Sequence, residues 1–123
     1  GMGAANRRGD DGRAAEALAE GHLRAHGLEI VERNVHSRHG ELDIVAREGA
    51  TVVFVEVRLR RPGAFGDAAD SITAAKRARL IAAAREYLAR LPRTPPCRFD
   101  VVLLDRLDPA RVVWVRDAFG EEE

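Results

Sequence analysis

The chain has 123 residues, 46% hydrophobic and 33% charged, and its twenty basic and twenty acidic side chains balance to a net charge of zero. That length suits one domain burying roughly two thirds of its unfolded surface, and the balance excludes a uniformly basic nucleic-acid coat. No apolar run approaches the roughly 20 residues that span a bilayer, so no membrane partner is expected.

The opening GMGAANRRG lacks the apolar stretch of a secretory signal. With a single cysteine, Cys97, this predicts a cytoplasmic protein in a reducing compartment. Gly1 ahead of Met2 reads as a tag remnant, and residues 1–9 are expected to be disordered at the edge of a single domain spanning 1–123. Asp10 or Asp11 is placed to cap a first helix running to about His26, with Ala15, Leu18, Ala19 and Leu23 on one stripe and Gly27 as its stop. LEIVERNV, residues 28–35, alternates as a first strand. Strands over 41–47 and 51–59 follow, joined tightly enough through Glu48, Gly49 and Ala50 to form a hairpin. RRPGAFGD is a loop. Ser71 is placed to cap a second helix to about Leu91, with Ile72, Leu80, Ala84, Tyr87, Leu88 and Leu91 at helical spacing. PRTPP breaks it, and 99–104 and 112–115 are two more strands. The order α-β-β-β-α-β-β predicts an α/β fold, a mixed central sheet flanked by helices, with the fourth strand parallel to one of the first three.

Charge is distributed unevenly along this order. From Arg58 to Arg98, nine arginines and Lys76 face only Asp67, Asp70 and Glu86, a local balance of +7 that leaves −7 for the remainder. Such a segment beside an acid-rich hairpin can hold a polyanion against a bound metal, or can be a set of solvated arginine faces.

The hairpin GELDIVAREGATVVFVEVR carries the acids. Alternation puts Glu41, Asp43 and Val45 on one face and Leu42, Ile44 and Ala46 on the other. If Glu48 pairs with Thr51, Asp43 falls opposite Glu56 and Glu41 opposite Arg58. Directly opposed carboxylates about 4.5–5.5 Å apart at Cβ repel and call for a cation. Two carboxylates, a neighbouring carbonyl such as that of Val57, and waters make a hard-oxygen site suited to Mg²⁺ or Mn²⁺. The plainer alternative is a cross-strand ion pair between Glu41 and Arg58. His22 and His26 have i, i+4 spacing but no third zinc ligand. Cys97 is expected to pack, Trp114 to serve sheet packing, and Arg60 and Arg61 to contact backbone phosphate or stand solvated.

These residues carry a resemblance. Glu16 to Ala19, Asn34 to Asp43 with its GELD, Phe54 to Val57, Phe65-Gly66, Lys76 and Arg98 to Val101 follow the pattern of the bacterial YraN-like family of predicted endonucleases. The acids resemble those of the PD-(D/E)xK nuclease superfamily, with its restriction-endonuclease-like fold, and of archaeal Holliday junction resolvases. The resemblance implies a nuclease domain in which Asp43 and Glu56 bind the metal, Glu41 and Glu16 are outer or second-metal carboxylates, and Arg58 stands where the superfamily has lysine. A guanidinium, which keeps its proton throughout, orients water or phosphate but cannot act as a base. Lys76, the only lysine, either reaches in from the second helix or contacts phosphate, as do Arg60, Arg61 and Arg77. The expected function is metal-dependent hydrolysis of nucleic-acid phosphodiesters, on DNA and in particular branched DNA, by a homodimer as in the resolvases. The rivals are a non-catalytic nucleic-acid-binding or protein-interaction module, favoured by Arg58, and an RNA substrate.

Overall fold

Helix, three strands, helix and two strands follow one another as expected: α1 (Ala4–Ala25), β1 (Glu29–Ser37), β2 (Gly40–Glu48), β3 (Thr51–Leu59), α2 (Ala74–Ala89), β4 (Cys97–Leu104) and β5 (Val113–Phe119). This computed structural model describes residues 4–60 and 72–120. Arg61, Phe65, Gly66 and the expected Ser71 cap lie outside the described residues.

The five strands form one sheet in the order β1-β2-β3-β4-β5. β1, β2 and β3 pair antiparallel, α2 carries the chain across to β4 parallel to β3, and β5 returns antiparallel, so the sheet is mixed. β3 reads TVVFVEV because both its faces are covered. Val52 and Phe54 pack with Leu80, Ala83, Ala84 and Tyr87 of α2. Val53 and Val55 pack with Ala15, Ala19 and Leu23 of α1. Phe99 stacks between Phe54 and Phe119, with centroids at 5.5 and 5.0 Å, and burial of each such ring is worth roughly 1.5–3 kcal/mol.

Helix boundaries depart from expectation at the starts. α1 begins at Ala4, and Asp10 and Asp11 lie inside the helix rather than capping it. Alanine and arginine extend a helix readily, and the glycines within cost only about 1 kcal/mol each relative to alanine. The stop is as expected. Gly27 turns left-handed (φ 92°), and the Leu28 and Gly27 N–H groups bond the carbonyls of Leu23 (3.0 Å) and Arg24 (3.1 Å), which is the Schellman pattern. α2 is capped by Thr73, whose Oγ1 accepts from the Lys76 N–H at 3.1 Å. Cys97, expected to pack, is exposed at the head of β4.

The acid in RFDVVLL, Asp100, is fully buried. It accepts from Arg98 Nε (3.0 Å) and Nη2 (3.2 Å), Trp114 Nε1 (2.9 Å) and the Asp117 N–H (2.9 Å). The last donor is aimed by an irregularity in β5. Pairing with β4 slips between Phe99 and Val101, and Asp117 adopts a left-handed φ of 50°. Arg98 and Arg116 both reach Glu48, at 2.7 and 2.5 Å, tying β2, β4 and β5 together. Trp114 packs on the α1 side, where His22 and His26, stacked 4.4 Å apart, meet its edge at 6.0 and 5.8 Å. Among the described residues no helix is long and apolar enough to cross a membrane.

Candidate functional site

The β2–β3 hairpin has the expected register from Glu48↔Thr51 to Ile44↔Val55, and there the ladder ends, one pair short of Asp43 and Glu56. The expected alternation also fails at this point. Leu42 packs in the α2-side layer with Val45, whereas Ile44 and Ala46 pack in the α1-side layer. The neighbouring strand is irregular at the same place. β1 pairs Arg33 with Ile44 and Val35 with Leu42, and Asn34 between them has a left-handed φ of 51°. The two strands turn together, and β2 parts from β3 at Asp43. The Asp43 carboxylate then supplies an acceptor to the freed main chain: the Val57 N–H donates to Oδ2 at 2.9 Å.

Glu56 lies on the α2 side of the gap and is 5% exposed. Its Oε2 lies 3.6 Å from Lys76 Nζ and 3.8 Å from Arg58 Nη1, and its Oε1 is buried without a hydrogen-bond partner. Burial first, then the negative charge of Asp43, push the Glu56 carboxyl up to about 8, against the pull of Lys76 and Arg58. Asp43 and Glu56 are thus brought together as expected. Glu41 and Arg58 are not. Because the ladder stops short of them, Glu41 stands opposite His36, with Nδ1 3.4 Å from its Oε2, and Arg58 turns to Glu56 instead.

Glu16 reaches the cluster from α1. With the Asn34 amide nitrogen turned toward the acids, it donates to Glu41 Oε1 at 3.0 Å and to Glu16 Oε1 at 3.3 Å. Burial, then Asp43 and Glu41, push the Glu16 carboxyl up to about 7, opposed by the Asn34 hydrogen bond and by Arg13. Asp43 therefore acts on carboxylates on either side of the sheet, and on the α1 side it opens into a groove of about 430 Å³ lined by Arg13, Glu16, Arg24, Arg33 and Asn34, among others.

Among the described residues no three His, Cys, Asp or Glu side chains form a ready-made ion cage. The donor set nevertheless fits a hard cation. A buried carboxylate oxygen on Glu56 lacks any donor, Asp43 beside it raises the cost of a second negative charge, and Val57, the expected carbonyl ligand, is tied to Asp43 through its own N–H. Two carboxylates, a carbonyl and waters are the ligands that Mg²⁺ and Mn²⁺ take.

Of the expected phosphate-contacting residues, Lys76 is placed directly on Glu56. Arg60 is half-buried at the end of β3, its N–H on the Leu104 carbonyl at 2.8 Å. Arg77 is tied back to its own helix start, donating from Nε to the Ile72 carbonyl at 3.1 Å, with its guanidinium 5.9 Å from the Phe119 ring centre. Asn34 was not among the expected site residues. Its one sequence signal is an asparagine, the non-glycine residue most at ease in a left-handed turn, inside an otherwise alternating strand.

A family model described as "Uncharacterised protein family UPF0102" matches residues 15–104, a span containing every residue of this cluster. The chain is similar to a UPF0102 protein of Nitrosococcus oceani, 50% identical over 116 residues covering 92% of this chain and 94% of the relative. It is also similar to a UPF0102 protein of Methylobacillus flagellatus, 50% identical over 91% of this chain and 96% of the relative. A UPF0102 protein of Verminephrobacter eiseniae is 54% identical over 88% of this chain and 76% of its own length.

Proposed function

The chain belongs to the UPF0102 family, and from its acid cluster we propose a metal-dependent nuclease that hydrolyses nucleic-acid phosphodiesters, with branched DNA as the leading substrate class. The observation that carries this reading is the donor-less buried oxygen of Glu56 beside Asp43, with two cations on the other oxygen of the same carboxylate. Asp43, Glu56 and the Val57 carbonyl would hold Mg²⁺ or Mn²⁺. Such an ion acidifies water for attack and neutralises charge developing on the phosphate. Lys76 and Arg58, both within 4 Å of Glu56 Oε2, would hold a phosphate oxygen or orient the attacking water. Arg58 cannot take the proton, so the positional role of the superfamily's lysine falls to the pair rather than to Arg58 alone.

A second reading, a nucleic-acid- or protein-binding module without turnover, is favoured by Arg58 in the lysine position. A cleavage assay separates them, with Mg²⁺ or Mn²⁺ on duplex, flap, four-way-junction and single-stranded DNA and on RNA. Cleavage abolished by Asp43→Asn is the expected result. Binding without cleavage of any substrate would favour the second reading.

A further inference from the structure

We infer that Asn34 is the positioning residue of the acid cluster, its single amide holding Glu16 of α1 and Glu41 of β2 together at the mouth of the groove beside Asp43. This deepens the proposed function and rests on its cation-binding reading. Three observations converge on Asn34. Its left-handed backbone lies between the Arg33↔Ile44 and Val35↔Leu42 pairs, where β2 breaks its alternation and presents Asp43. Two carboxylate oxygens face one end of its amide and require the nitrogen there; so turned, that nitrogen lies 3.0 Å from Glu41 Oε1 and 3.3 Å from Glu16 Oε1, and an amide NH₂ has two hydrogens, one for each carboxylate. Those carboxylates come from different elements and repel one another, so a shared donor fixes a spacing that neither α1 nor β2 sets alone. An acid pair held in this way is ready to face a cation at Asp43 without first being gathered, and partners that orient metal-site carboxylates typically account for about 10–100-fold in affinity.

The test titrates the whole chain with Mn²⁺ by calorimetry as wild type, Asn34→Gly, Glu16→Gln/Glu41→Gln and the triple variant, with a metal-free thermal melt of each. Glycine keeps the left-handed backbone and removes only the amide. Asn34→Gly should weaken Mn²⁺ binding about tenfold. The same change in the Glu16→Gln/Glu41→Gln background should alter it less than about twofold, because residues acting through one another are not additive. An equal loss in both backgrounds, or none in either, overturns the positioning role. If Asn34→Gly does not melt cooperatively, Asn34→Ala takes its place with the same expectations. A wild type that binds no Mn²⁺ defeats the cation-binding reading itself and this inference with it, whereas wild-type binding that Asn34→Gly leaves untouched defeats the inference alone.

Discussion

With divalent ions chelated, the folded chain should lose stability as pH rises from about 5 to about 8, and Glu56→Gln should remove most of that loss. Glu56 titrates at its ordinary value of 4.5 when unfolded and at about 8 when folded, because burial and Asp43 disfavour its charge. Between those values the native state keeps a proton that the unfolded state has released, so stability falls as pH rises. One full proton of difference is worth about 1.4 kcal/mol per pH unit. Three such units give an upper bound of about 4 kcal/mol, a large part of the roughly 5–15 kcal/mol that holds a domain folded. Glu16 acts in the same direction toward its value of about 7, though screening at its half-buried position shrinks its share. His22, lowered by burial and then by His26, acts oppositely near its ordinary 6.5. Glu20 and Glu48, lowered chiefly by their arginine partners, lose their contribution only as pH falls below about 4.5. The difference between wild type and Glu56→Gln isolates Glu56 from all of these. Urea melts in EDTA at half-unit steps from about pH 5 to about pH 8.5 measure it. Wild-type and Glu56→Gln stability curves running parallel across that range would refute the electrostatic account of the site.

Lys76→Ala should lower cleavage by about 10²–10³-fold, the scale of losing a positioned transition-state charge, and more than Arg58→Ala does. Arg58→Lys should keep or raise turnover, and gel assays showing both alanine variants as active as wild type would remove these cations from the mechanism. Nucleic-acid affinity should fall with salt at a slope of about −0.9 per neutralised phosphate, and Arg60→Ala with Arg61→Ala should flatten it by about one to two phosphates; a salt-insensitive interaction in fluorescence titrations would point to the protein-binding reading. Trp114→Phe should destabilise the fold by about 1–3 kcal/mol, because Asp100 loses a donor where water cannot replace it, and denaturant melts at neutral pH read the change directly.

The sheet was legible because each strand obeys a local rule. TVVFVEV is apolar on both faces, and Gly49, with its positive φ of 59°, closes a turn short enough to fix the pairing of Glu48 with Thr51. From that pairing followed the meeting of Asp43 and Glu56. The end of the ladder was not legible, since it coincides with one left-handed residue in the adjacent strand, and an alternation rule cannot see a neighbour's backbone. Glu41 was assigned to Arg58 for that reason, while its real contacts come from His36 and Asn34. The partners of Asp100 were hidden similarly: an acid in RFDVVLL announces an unmet need, but Trp114 and the Asp117 N–H that satisfy it lie on a strand read only as far as Val115.

Asp100 also makes completion of the core depend on the last strand. Two of its donors, Trp114 and the Asp117 N–H, follow it by 14 and 17 residues. While they are still inside the ribosome, Arg98 is the only one of these partners available. Closing the sheet over a carboxylate short of partners is penalised by several kcal/mol, so the sheet around Asp100 should not close stably until β5 is available. A chain stalled or clipped before Trp114 would keep an unfinished core, the kind of exposed apolar surface on which chaperones and proteases act.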